Sequence, residues 1–222
     1  MPLSPPRRYL TLASPAVAEV EVRRSRFVCD VAPATSERAA RAFIEQVRAR
    51  SRDARHHCAA YVLGPDGATL RSNDDGEPSG TAGAPMLDVR RGRRLTDVGA
   101  VVTRWGGGTL LGTGGLIRAY GEAVTAALQQ AVLVRMELRE GLVVEVGAAH
   151  GPRVENARRG HDGCDVTESE WRADGLVLHL AVVPGTQEAL RGLVASLTAG
   201  GGRVTAGPES WVASERRLSA ED

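Results

Sequence analysis

The feature that most restricts this chain is a run of small apolar residues, Gly99 to Thr103 (GAVVT), that passes through the glycine-dense stretch RWGGGTLLGTGGLIRAY into a long amphipathic segment. A buried strand, a tight loop and a core helix in that order require a fold that lays a helix on a sheet. The helix is read from Leu116, Tyr120, Ala123, Val124, Ala127, Leu128 and Ala131, which share one face over roughly five turns. Upstream, Val17 to Val31 alternates in short apolar and charged pieces and predicts one or two strands. Pro33, Thr35 and Ser36 then announce a helix whose inner face carries Ala40, Phe43, Ile44 and Val47. His57 to Leu63 reads as a strand entering the Gly64-Pro65-Asp66-Gly67 turn, with Ala68 to Ser72 as its hairpin partner. Asn73 to Pro85 reads as a loop, and a short helix from about Met86 to Arg91 follows it.

After Arg135 the pattern changes. Strands are expected in Met136 to Val146, Asp165 to Arg172, Leu176 to Val183 and Arg203 to Val212, with helices near His150 to Arg159 and in Thr186 to Leu197. Asp174-Gly175 marks a hairpin and Gly200-Gly201-Gly202 closes the last helix. The order βαββαβ is that of a ferredoxin-like domain. Its first helix has Gly151 and Pro152 at its start and only Val154 and Ala157 to bury. The expected organisation is an N-terminal domain over 1–135, a ferredoxin-like domain over 136–213 and a polar tail over 214–222, in an α+β chain of 222 residues.

Composition narrows the function. Apolar residues make up 42 % and charged residues 25 %, with no apolar run near the roughly 18 residues of a membrane span, so a cytoplasmic globular protein without membrane attachment is expected. The N-terminal arginine pair is followed by charge before any signal-type apolar core develops. Cys29, Cys58 and Cys164 are too few and too dispersed for a disulfide framework or a four-thiolate zinc site, and neither metal nor cofactor is expected. The sequence contains no lysine, so all 28 cationic side chains are arginine. That excludes Schiff-base chemistry, a P-loop and the S-x-x-K serine enzymes, while leaving planar forks suited to phosphate or carboxylate. Residues 1–135 hold 19 arginines against 13 acids, whereas 136–222 hold 9 against 14. The asymmetry allows an anion-attracting front half and an acidic back half.

Two loops lead into helices, DDGEPSGTAGAP and RWGGGTLLGTGG, and free N–H groups at a helix start receive anions where glycine permits approach. Arg104 and Arg118 flank the second loop. One interpretation is a pocket for phosphate or an acidic side chain, with Asp74, Asp75 and Glu77 orienting the guest; the other is two crowded turns whose carboxylates pair with Arg104 or Arg118. The glycines do not spell G-x-G-x-x-G, because Ile117 stands where the third would fall. His56 and Cys58 share a strand face that His57 does not, which permits a metal corner or thiol–imidazole pair but equally a buried thiol beside a turn-capping histidine. A hydrolase using Asp75, Glu77, Ser79 or His56 is the alternative from a different class.

At these residues the chain resembles the YigZ and IMPACT family. The matching text is SRF at Ser25 to Phe27, H-x-C at His56 to Cys58, DDGEPSGTAG at Asp74 to Gly83, and VVTR-x-x-GG-x-x-LG-x-GGL-x-RAY at Val101 to Tyr120, within about residues 18–132. The resemblance implies an N-terminal α/β domain of the ribosomal-protein type with a left-handed βαβ crossover, and a C-terminal ferredoxin-like domain. It implies a part in regulating translation, as in eukaryotic relatives that compete for an activator of an initiation-factor kinase, without a settled enzymatic activity. Where the family commonly has Y-F-G-G-I-K-L-G, this chain has Trp105-Gly106-Gly107-Gly108-Thr109-Leu110-Leu111-Gly112, with glycine for the second aromatic and Leu110 for the lysine. The expected role is a non-catalytic binding protein that recognises an anionic group on RNA, the ribosome or a translation-related protein. The residues expected to serve are Asp74, Asp75, Glu77, Ser79, Gly80, Thr81, Arg104, Gly106, Gly107, Gly112, Gly114, Gly115 and Arg118.

Overall fold

The computed structural model describes residues 6–92, 94–158 and 163–218. It divides into two compact units, one holding the described residues up to Met136 and from Ala213 on, the other Glu137–Val212.

The first unit is built on an antiparallel sheet of β2 (Ala16–Val22), β3 (Ser25–Pro33), β4 (His56–Leu63), β5 (Thr69–Asn73) and β6 (Val98–Trp105), in the order β2-β3-β6-β4-β5. Both β3 and β4 run antiparallel to β6 between them, so they are parallel to each other and need a crossover, supplied by α1 (Glu37–Arg50). Ser36 starts α1 as expected: its hydroxyl accepts the Ala39 N–H at 3.2 Å, with Glu37 in the first turn and Arg48 and Arg50 in the last. Beneath α1, Ala40 and Val47 are buried in small clusters with Tyr61, Leu63, Ala59 and Val101. The opposite sheet face is covered by α2 (Gly83–Gly92) and α3 (Thr113–Gln130), where Phe27, Cys29, Val31, Cys58, Ala60, Ala100 and Val102 form the main core with Tyr120, Val124 and Leu128. Burial on both faces is why β4 and β6 read in the sequence as continuous apolar runs instead of alternating ones.

A further strand, β1 (Arg8–Leu12), has too short a pattern to be foreseen and draws its burial from its neighbours. It pairs with β7 (Leu133–Gly147), and just past its end the Ala13 N–H donates to the Val132 carbonyl at 2.8 Å.

In the second unit β7 is followed by α4 (Gly151–Arg158), β8 (Cys164–Arg172), β9 (Gly175–Val182), α5 (Gln187–Thr198) and β10 (Arg203–Leu218). The strand order β10-β7-β9-β8, antiparallel between β7, β9 and β8, is that of the ferredoxin-like fold. Leu142, Val144, Leu176, Leu178 and Leu180 form its core with Leu190 and Val194 of α5, and Val154 lets the short α4 dock despite its polar sequence. Gly175 has a steric purpose beyond its turn, because a Cβ there would run into the Val146 backbone. The last strand continues to Leu218 instead of stopping at Val212, so most of the expected polar tail is strand; 219–222 lie outside the described residues.

Candidate functional site

Where β4 begins and β6 ends, His56 and Phe27 both stand opposite Arg104, and the loop after β5 folds over this end of the sheet. Three carboxylates organise that loop, each differently. Asp74 accepts three backbone N–H groups, from Gly80 at 2.8 Å, Ala82 at 3.1 Å and Gly83 at 2.8 Å. It therefore caps α2 from a distance, which is why that helix starts at Gly83 and not at Met86. Asp75, held at φ +46°, accepts from Arg48 Nη2 at 2.7 Å and the His57 N–H at 2.6 Å, and its carbonyl lies 2.9 Å from His56 Nδ1. Glu77, with a side chain only 3 % exposed, receives Arg104 Nη1 at 2.7 Å and the Tyr120 hydroxyl at 2.8 Å on one oxygen, Oε1.

Cys58 extends the last arrangement inward, with its thiol 3.2 Å from Tyr120 Oη and 3.0 Å from the Asp74 carbonyl. Burial pushes the Cys58 thiol up to about 12, with the carboxylates of Glu77, Asp75 and Asp74 adding to it against the Tyr120 hydrogen bond. Tyr120 is likewise raised, first by burial and then by Cys58 and Glu77, so its hydroxyl keeps its proton and serves as a neutral bridge. At Asp74 desolvation opposes ionisation, yet the three N–H donors outweigh it and hold the carboxyl below its ordinary value. Arg104 lies over the Phe27 ring, 5.5 Å from its centroid, and its buried Nε has no hydrogen-bond partner among the described residues.

The second loop is arranged around glycine. A Cβ at Gly107 would collide with the Arg24 carbonyl, and the Gly107 N–H donates to Ser25 Oγ at 3.3 Å. Gly112, at φ +68°, is the N-cap of α3 and provides no side-chain cap; the first turn contains no acid. Gly106, Gly112 and Gly114 face open space, Gly115 packs on Leu111, and Leu110 at the tip is 94 % exposed. Arg118 is exposed, without an ion pair among the described residues.

These placements bring the two loops together and amend the expectation for them. Glu77 of the first loop meets Arg104 at the start of the second and Tyr120 on the helix beyond it. But the first helix start is not open to a guest, because Asp74 already fills the Gly80, Ala82 and Gly83 donors, and the Thr81 N–H donates to the Pro78 carbonyl. Arg104 is turned onto Glu77 instead of outward, since a guanidinium only 14 % exposed needs a counter-charge. Nor does a Ser-His-Asp chain form: His56 addresses the Asp75 carbonyl, Asp75 is spent on Arg48 and His57, and Ser79 has no hydrogen bond to His56. His57 caps the end of α1 through the Ser51 carbonyl at 3.0 Å, and Cys58 is fully buried, which matches the structural alternative for this corner. Among the described residues no group of three or more His, Cys, Asp or Glu is placed to hold a metal ion, and no helix is long and apolar enough to cross a membrane.

Tyr120 was legible only as a core position. The available signal was chemical: a tyrosine on an Ala/Leu/Val helix face brings a hydroxyl that must find a partner inside.

Fold and site together define a two-unit α+β protein whose first unit closes a buried Cys–Tyr–Glu–Arg chain beneath a glycine loop and whose second is ferredoxin-like. Residues 23–128 match the Impact N-terminal domain. Over this region the chain is similar to proteins of the IMPACT family. It is 45 % identical over 130 residues to the IMPACT family member YvyE of Bacillus subtilis and 48 % identical over 124 residues to YigZ of Escherichia coli, covering 59 % and 55 % of this chain. Those matches span 60 % and 61 % of the relatives' own lengths. A crystal structure of a hypothetical protein is similar over 91 % of this chain and 98 % of its own, with 35 % identity and a TM-score of 0.69.

Proposed function

We propose that this chain is a cytoplasmic, non-catalytic binding protein with a part in regulating translation, and that its glycine loop receives an anionic group of RNA or of a protein partner. The observation that carries this is the start of α3, where Gly112 leaves the first N–H groups without a side-chain cap beside the exposed Arg118. Such groups carry a partial positive charge, and the surrounding half of the chain is cationic. Gly106, Gly112 and Gly114 face open space and allow a bulky anion to approach the backbone, Gly107 and Gly115 pack the loop against Arg24 and Leu111, and Arg118 supplies the full charge. Arg104, Asp74, Asp75, Glu77, Gly80 and Thr81 hold the two loops in place, while exposed Ser79 offers a hydroxyl at the rim. The match of residues 23–128 to the Impact N-terminal domain favours translation as the setting.

Cosedimentation with ribosomes and with RNA across a salt series tests the proposal. Arg118→Ala is expected to weaken association and to lower the salt slope by about one, with an unchanged melting temperature. Equal association of parent and variant at low salt would refute it.

A further inference from the structure

At the end of β4 remote from His56, the first unit has an open cleft of about 1100 Å³. Its floor is aliphatic, made by Leu10, Val62, Leu70 and Leu95, with Val62 and Leu95 almost fully buried. Much of the polar wall is already engaged. Tyr9 Oη donates to Asp97 Oδ2 at 2.8 Å, Thr96 Oγ1 to the Gly64 carbonyl at 2.5 Å, and the Gly64 N–H to Asp97 Oδ1 at 2.8 Å. Exposed Arg94 and Arg135 stand at the rim with no ion pair among the described residues, and the one carboxylate beside them, Asp66, accepts the Ala68 N–H at 3.1 Å.

Arg94 of this wall and Asp97, the acceptor of the Tyr9 hydroxyl, both have left-handed backbone, at φ +53°. For a residue with a Cβ this conformation is less favourable than the right-handed one. At Asp97 it is matched by hydrogen bonds to both carboxylate oxygens and by two more to its carbonyl, from Ala34 N and Thr11 Oγ1. Arg94 stands two residues beyond the end of α2, where left-handed backbone commonly closes a helix, and its exposed side chain brings a cation to the mouth of the cleft.

We infer that this cleft is a second binding site, distinct from the glycine loop, for a small amphipathic organic anion: an alkyl or aryl body on the aliphatic floor, with a carboxylate or phosphate head on Arg94 and Arg135. Its volume suits a drug-sized molecule, and the engaged wall leaves apolar contact and cationic pairing as its main means of recognition.

The full chain is titrated with the fluorescent amphipathic anion 8-anilinonaphthalene-1-sulfonate, and the bound probe is then competed with octyl phosphate, octanol and inorganic phosphate. One saturable site is expected, emptied by octyl phosphate at concentrations where octanol and inorganic phosphate leave it filled. Arg94→Gly and Arg135→Ala should each weaken binding about tenfold, the loss of one charge-assisted contact. Arg94→Gly should melt no lower than the parent, because glycine relieves the backbone, so its loss of binding does not reflect unfolding. Arg118→Ala should bind the probe like the parent, which separates this site from the glycine loop. Absence of saturable binding, equal displacement by octanol, or parent-like affinity in both cleft variants would overturn the inference.

Discussion

Glu77→Ala removes the acceptor on which the two loops converge. In the parent, Oε1 takes Arg104 at 2.7 Å and Tyr120 at 2.8 Å, and the two charged side chains are 3 % and 14 % exposed. Truncation leaves a guanidinium with little access to water, its buried Nε already unpaired, and a tyrosine hydroxyl without an acceptor. Breaking a buried pair from one side costs about 3–5 kcal/mol. For a unit of this size that corresponds to a fall in melting temperature of roughly 10–20 °C. Urea unfolding at pH 7 followed by tryptophan fluorescence and far-UV circular dichroism measures it, since Trp105 adjoins the loop. The double variant Glu77→Ala/Arg104→Met should be more stable than Glu77→Ala alone, because no charge is then stranded. A loss below about 1 kcal/mol for Glu77→Ala, or strictly additive effects of the two substitutions, would show that Glu77 and Arg104 do not act as a buried, mutually dependent ion pair.

Asp74 supplies a pH dependence. Its folded-state carboxyl lies below the ordinary value, so its stabilisation is complete above the unfolded value of about 4 and is lost as pH falls through the folded one. Asp74→Asn should therefore melt below the parent at pH 7, and the gap should narrow as acid protonates the parent carboxyl; a gap independent of pH would contradict the assignment. Gly107→Ala should cost about 2–3 kcal/mol in urea unfolding, because its methyl meets the Arg24 carbonyl, whereas Gly106→Ala faces open space and should be near neutral. Equal stability of the two alanine variants would refute that packing.

Much of this fold was legible because its signals are local. The face of α3 from Leu116 to Leu128, the Ser36 cap of α1 and the Asp174-Gly175 hairpin each depend on residues a few positions apart. Strand β1 was not legible, since its five residues have no distinctive period and owe their burial to segments far along the chain. The glycine-rich loops were visible as loops, and their carboxylates had inward pairing open to them as one of two outcomes.

Sequence alone determined the order of elements from β2 onward and the arginine-only cation chemistry, because periodicity and side-chain type belong to residues themselves. Tertiary structure decided which partner each charge took. Asp74, Asp75 and Glu77 lie within four positions of one another, yet one caps a helix, one ties α1 to β4, and one neutralises Arg104 beneath Tyr120. The partners of Asp75 and Glu77 stand 18 to 43 positions away along the chain, so only the fold returns them to contact. In an interior of low dielectric such proximity then selects one pairing over the others.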